Sequence, residues 1–323
     1  MTGRAGARSA ALFLGWLAGL IVVTTALASP KLGGPDRSEG GQTWAPPRTV
    51  WGDPDLQGIW NYATMTPLER SRELGEKAVF TPEEAVAFER QTLDRQAVTN
   101  NTAGPDWWDT GTRHLTNRRT SLVDDPPNGR MPPLTPEAQA RLSARAQARR
   151  DRGIGEGPED LALNERCLQW STAGPPMLPG VYNNNVQFFQ TPHAVVIFNE
   201  MIHDARVVPM DGRPHGTMPR WMGDSRGRWD GATLVVDTIN ILDKASFRGA
   251  DDHLHLVERF RRVNADTIEY RFTVEDPTVW TGPWTASFPL NRSDGPIYEY
   301  ACHEGNARSV EGILRGARTQ DRE

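Results

Sequence analysis

Between Leu254 and Val274 the chain carries two runs in which apolar and polar residues alternate, a pattern satisfied by a sheet with one buried face. The apolar rows are Leu254, Leu256 and Phe260, then Ile268, Tyr270, Phe272 and Val274. A three-residue connection, Asn264 to Asp266, sets Phe260 opposite Tyr270 and Glu258 opposite Phe272, with both rows on one face. A two-residue loop would throw the rows to opposite faces. Glu258 therefore falls in the inward row. A buried carboxylate requires a cation, a hydrogen-bond donor or a raised pKa, and Arg206 or a histidine is the expected partner.

The same alternation runs through the second half of the chain. From Val195 the residues change face at every step. With Met201 and Ile202 as a two-residue loop, Val196 faces Val207, Phe198 faces Ala205 and Glu200 faces His203. Asp230-Gly231 is a hairpin signal between Arg228-Trp229 and the run Thr233 to Asp237. Trp284 to Phe288 and Ile297 to Cys302 read as the last strands, with a short helix starting near Ser309. About eight or nine antiparallel strands result. The fold expected is mainly β: an up-and-down barrel or strongly curved sheet over 181–323, with a β-sandwich as the alternative.

Residues 51–180 read as an irregular and helical wrap. Gly58-Ile59-Trp60 is a short strand. Thr81-Pro82-Glu83-Glu84 combines a cap, a first-position proline and a capping box. The helix it opens has Val86, Phe88 and Leu93 as its apolar side and runs to about Arg95. Thr135-Pro136-Glu137 opens a second helix to about Arg150, poor in large apolar residues and so expected on the surface. A short helix is predicted over 158–163. Trp107-Trp108-Asp109 and Asp124 to Arg130 read as ordered loop.

Residues 1–28 have the plan of a secretory signal: Arg4 and Arg8, an apolar run from Ala10 to Val23, then Ala26-Leu27-Ala28. An uncleaved anchor is the alternative reading. Residues 29–50, rich in glycine, proline and charge, read as a linker. The mature chain is expected in the periplasm or outside the cell, without stable membrane anchoring after cleavage. There the two cysteines, Cys167 and Cys302, are most simply one disulfide. A net charge of −5 argues against nucleic acid as a partner.

Four stretches together resemble an uncharacterised family of secreted bacterial β-rich proteins: Pro54 to Trp60, Asn199 to Arg206, Trp221 to Ser225, and Tyr298 to Asn306. The resemblance implies export and one shared fold, and no reaction. Gly58-Ile59-Trp60 is also faintly similar to the first strand of lipocalin-like barrels.

Glu200, His203, Glu258 and His303 form the candidate acid–base set, since a carboxylate beside an imidazole orients it and raises its basicity. Arg206, His215, Tyr182, Asn184, Trp221 and Tyr270 are candidate ligand-binding residues. His253 and His255, at strand period, with His203 could hold a divalent metal. No phosphate loop, dinucleotide fingerprint or nucleophile elbow occurs, so no nucleotide cofactor is expected. The sequence points to an exported enzyme acting on a small aromatic or sugar-like molecule by acid–base chemistry, as a lyase, hydratase, isomerase or hydrolase. The alternatives are a non-catalytic barrel carrier for an apolar small molecule and a metal-dependent enzyme.

Overall fold

The computed structural model describes residues 44–103, 111, 114–151, 157, 160–245, 247–250 and 252–320. Its strands are β1 (Gly58–Asn61), β2 (Val123–Asp125), β3 (Asn185–Gln190), β4 (Ala194–Asn199), β5 (Ala205–Pro209), β6 (Asp224–Asp230), β7 (Thr233–Ile239), β8 (His255–Asn264), β9 (Thr267–Glu275) and β10 (Trp284–Arg292). The helices are α1 (Pro82–Ala103), α2 (Pro136–Asp151) and α3 (Cys302–Gln320). All strands join one antiparallel sheet in the order β5-β4-β3-β1-β10-β9-β8-β7-β6, with β2 also on β10. Two meanders, β3 to β5 and β6 to β10, are thus spliced through β1. The sheet draws β1 and β2 from the segment before residue 181.

The path curls into a nearly closed barrel. Its two ends, β5 and β6, meet without joining the ladder. Their approach depends on Gly227 of β6: a Cβ there would lie 2.8 Å from Val208 Cγ1 and also collide with Met210 Sδ.

Inside, aromatic rings fill the space. Phe260 stacks on Tyr270 at 4.7 Å between centroids, Phe188 meets Phe260 at 5.2 Å, and Tyr270 meets Phe288 at 5.2 Å. Phe272 contacts Trp284, and the guanidinium of Arg262 lies 5.3 Å above Trp60. The β8–β9 register is the one the alternation demands, with Phe260 opposite Tyr270 and Glu258 opposite Phe272.

Several expectations need correction. In β4 and β5 the pairs Phe198–Ala205 and Val196–Val207 form, but that row faces outward and Val207 is 59% exposed. The inward row is Val195, Ile197 and Asn199 with Arg206 and Val208. Residues 297–301 form no strand, because β10 is already flanked by β9 on one side and by β1 and β2 on the other. Helix α3 consequently starts at Cys302, seven residues before Ser309. The hairpin after β6 turns at Gly231 and Ala232, one residue later than expected.

The capping box at α1 is complete: the Glu84 amide donates to Thr81 Oγ1 and the Thr81 amide to Glu84 Oε2. Its expected apolar side is not buried, since Val86 and Leu93 are exposed and only Phe88 packs, on Phe80. Ala85 is the residue that enters the core. Of the helix expected over 158–163, residue 160 is 3-10 helical, the chain from 163 to 167 forms turns, and positions 158 and 159 lie outside the described residues. So do the signal segment, the linker up to residue 43, and Trp107-Trp108-Asp109. Among the described residues no helix is long and apolar enough to cross a membrane.

The seam gives a direct test. Gly227→Ala should destabilise and Gly227→Val should do so more strongly, by about 1–3 kcal/mol, as the added carbons force β5 and β6 apart. Urea denaturation reads the difference; an unchanged midpoint for the valine variant would mean that the two ends are not in contact.

Candidate functional site

The barrel interior holds a buried ion pair, apart from the Arg262 guanidinium that covers Trp60. Arg206 on β5 reaches Glu258 on β8 with both terminal nitrogens, the Nη2–Oε1 contact being 2.9 Å and the other shorter. Tyr270 on β9 donates its hydroxyl to the same Oε1 at 2.7 Å and accepts from the Met177 amide at 3.1 Å. Glu258 and Tyr270 are fully buried and Arg206 nearly so. Burial works against the Arg206 charge, but the adjacent Glu258 more than offsets it and holds the guanidinium pKa above its ordinary value. Burial and the same carboxylate raise the Tyr270 phenol well above the usual range, so it stays a donor. Every strong acceptor position on Glu258 that these donors reach is used, and the group is closed to a ligand.

Glu200 lies elsewhere, buried beneath the turn between β4 and β5. Its carboxylate accepts from the side-chain amides of Asn183 and Asn185. Burial, with a contribution from Glu200, pushes the Tyr62 phenol up. The connection to β5 is longer than two residues: Asn199 and Asp204 face each other, with Met201–His203 as a 3-10 turn. Ile202 and His203 take positive φ, 59° and 49°. This twist separates the expected Glu200–His203 pair. His203 is exposed, with Nδ1 on the Tyr300 carbonyl at 3.1 Å. His303 is exposed on α3. The four acid–base candidates therefore do not share a cavity.

The remaining candidates hold structural positions. Asn184 is buried and bonds both backbone groups of Gly180. Tyr182 stacks on Tyr300 beside Trp170, and Trp221 packs half-buried against the core. His215 bridges two carboxylates, Nδ1 at 3.2 Å from Asp224 and Nε2 at 3.0 Å from Asp237. His255 contacts the other oxygen of Asp237 at 3.2 Å. Burial pushes the Asp224 carboxyl up, but the Gly216 amide and Arg226 outweigh it and leave its pKa below the ordinary value. His253 sits in the turn before β8, on Asp252, and does not join His255. The proposed His253, His255 and His203 set is thus dispersed, and among the described residues no group of three or more His, Cys, Asp or Glu is placed to hold a metal.

An open volume lies outside the barrel core. A cavity of about 860 Å³ opens between the chain after β1, helix α1, the loop before β3 and the loop between β7 and β8. Met65, Leu122, Leu178 and Phe247 give it apolar surface, with Thr66, Gln169 and Arg248 as polar lining. One wall, from Leu163 to Val181, is fastened twice. Cys167 is disulfide-bonded to Cys302 at the start of α3, and Met177 is held by Tyr270 from inside the barrel. The bond was expected to reach a last strand; it reaches a helix instead. Closing a loop across 135 positions is credited by the chain-entropy model with about 4–5 kcal/mol. None of the residues singled out from the sequence lines this cavity. Arg248 escaped notice because it stands alone in a short turn, outside any alternating row.

Two outcomes follow. Arg206→Met and Glu258→Leu should each cost about 3–5 kcal/mol by stranding the other partner, whereas the two together should cost less than either single change. A urea double-mutant cycle measures this; additive losses would show that the pair acts independently. Asp204, with one buried carboxylate oxygen lacking a partner, has its pKa raised to about 6 by burial, although His203 lowers it. Because the folded pKa exceeds the unfolded one, its contribution is fully present below about pH 4 and is lost as pH rises through about 6. Asp204→Asn should therefore gain stability relative to wild type at pH 8, by roughly 1–2 kcal/mol after allowing for partial exposure, and lose that advantage near pH 4.

No family model, curated protein or solved structure matches the chain, and the site has to be read from its own chemistry.

Proposed function

We propose that this is an exported small-molecule-binding protein whose ligand occupies the cleft between the wrap and the end of the barrel. The carrying observation is the placement of open volume: the barrel interior is packed with aromatic rings around a closed Arg206–Glu258–Tyr270 group, while the cavity beside it measures about 860 Å³. That size suits a drug-sized organic molecule, and mixed apolar and polar lining is the usual composition of such sites. This reading takes up the carrier that the sequence offered as an alternative to an enzyme and moves its ligand out of the barrel.

An acid–base enzyme needs at least two ionisable groups converging on one ligand atom. Glu200, Glu258, His203 and His303 are dispersed, so binding is the better-supported reading. Export rests on the signal-like first 28 residues and agrees with a formed disulfide.

The test uses N-phenyl-1-naphthylamine, a neutral apolar dye that brightens when shielded from water. Wild type should enhance its fluorescence saturably. Ser171→Trp, which places a large ring at an exposed position on the cavity lining, should weaken binding by roughly tenfold or more, about 1.4 kcal/mol. Equal binding by the folded variant would move the ligand site elsewhere.

A further inference from the structure

In a chain with 41 acidic and 36 basic residues, the described lining of the cavity contains one arginine and no carboxylate. That arginine is Arg248, and it has no hydrogen-bond or ion-pair partner among the described residues. The carboxylate that acts on it is Glu69, from beyond ion-pair distance, and Glu69 already accepts from the Met131 amide.

The turn that carries this exposed side chain is itself held in place. Phe247 and Ala250 exchange both backbone hydrogen bonds, at 2.8 and 2.9 Å, around a two-residue turn. Both central residues have positive φ, 53° at Arg248 and 95° at Gly249. Such turns favour Asn-Gly, Asp-Gly or Gly-Gly, and a long β-carbon-bearing side chain at the first position is strained. Residues kept in sparsely populated backbone regions cluster at ligand sites, where surrounding contacts enforce them. Here α2 does the enforcing: a Cβ on Gly249 would lie 3.0 Å from Leu142 Cδ2, and Arg141 Nη2 bonds the Gly249 carbonyl at 3.4 Å. A second donor is available on the lining. Thr66 is buried, its oxygen accepts from the Leu115 amide, and its hydroxyl proton remains to be given.

We propose that Arg248 recognises a small organic anion, a single carboxylate or sulfonate group carried on an apolar body, bound in this cavity. The planar guanidinium matches such groups with two parallel hydrogen bonds, and no carboxylate among the described lining residues competes for it. Met65, Leu122 and Phe247 supply the surface against which the apolar body packs. The inference rests on the binding reading above and adds the charge of the ligand to it.

The experiment compares two dyes that share one frame. 8-Anilino-1-naphthalenesulfonate carries an anionic group that N-phenyl-1-naphthylamine lacks. Wild type should bind the sulfonate roughly tenfold or more tightly than the neutral dye, the gain expected of a charge-assisted hydrogen-bonded pair. Arg248→Gln should remove that preference by weakening the sulfonate far more than the neutral dye, and Arg248→Lys should restore it only in part. Near-ultraviolet circular dichroism checks that the variants are folded. If Arg248→Gln does not fold, wild type decides alone: added sodium chloride should weaken the sulfonate and spare the neutral dye. Equal affinities for the two dyes, insensitive to Arg248 and to salt, would overturn the inference and leave the binding reading standing. Absence of binding by either dye would remove both.

Discussion

A salt bridge in the middle of an aromatic core is the constraint from which the rest of this structure follows. Arg206 belongs to β5, one free end of the sheet, and Glu258 to β8, near the other. Since β5 and β6 share no ladder hydrogen bonds, the interior pair supplies a directional link across the barrel. It is costly to build: two ions must leave water, and their mutual attraction offsets that only with good geometry and further donors. Two guanidinium contacts and the Tyr270 hydroxyl meet the requirement. What the arrangement fixes is register. A slip of β5 by one residue would turn Arg206 outward and leave Glu258 alone in the core.

From the same tyrosine the constraint passes outward. Tyr270 accepts the Met177 amide, so the loop before β3 is held to the barrel by a group that is itself held by Glu258. Ten residues earlier that loop is fastened again, by Cys167 to Cys302. Trp170, Tyr182 and Tyr300 pack together around this second fastening. A segment rich in proline and glycine, with few backbone hydrogen bonds of its own, thereby becomes a fixed cavity wall. The barrel acts as the scaffold, and the cavity proposed to take a ligand lies where irregular chain is pinned against it.

Much of the barrel was legible because period-two alternation carries its own register. The β8–β9 pairing, the burial of Glu258 and its need for a cation all follow from Leu254 to Val274 read with one loop length. The β4–β5 turn was not legible for a definite reason: both faces of Val195 to Val208 are apolar, so alternation alone does not say which one is inside. The outer row, Val196, Phe198, Ala205 and Val207, looks as core-like as the true inner one. Arg206 decides the matter, and only once its partner on β8 is known. The 3-10 turn at Met201–His203 likewise has no sequence mark, since isoleucine and histidine are poor choices for positive φ. The cavity was illegible for another reason. Its lining comes from five separated segments without repeating pattern, and only the folded chain brings Thr66, Gln169 and Arg248 to one space.

The two arginines, Arg206 and Arg248, show how the same residue type acquires opposite roles. Arg206 lies on a regular strand with its donors committed to one carboxylate, so its charge is spent on holding two distant strands in register. Arg248 lies in a turn that disfavors it, beside open volume, with no carboxylate within ion-pair distance among the described residues. A fully paired interior charge has nothing left to offer a ligand, whereas an unpaired one at a cavity does. The sequence drew attention to the first as a partner for Glu258, which interrupts an apolar row, and that interruption is the mark of structural necessity. The residue suited to recognition interrupts nothing. It is distinguished only by a backbone conformation that its side chain would not choose and by the space that conformation makes it face.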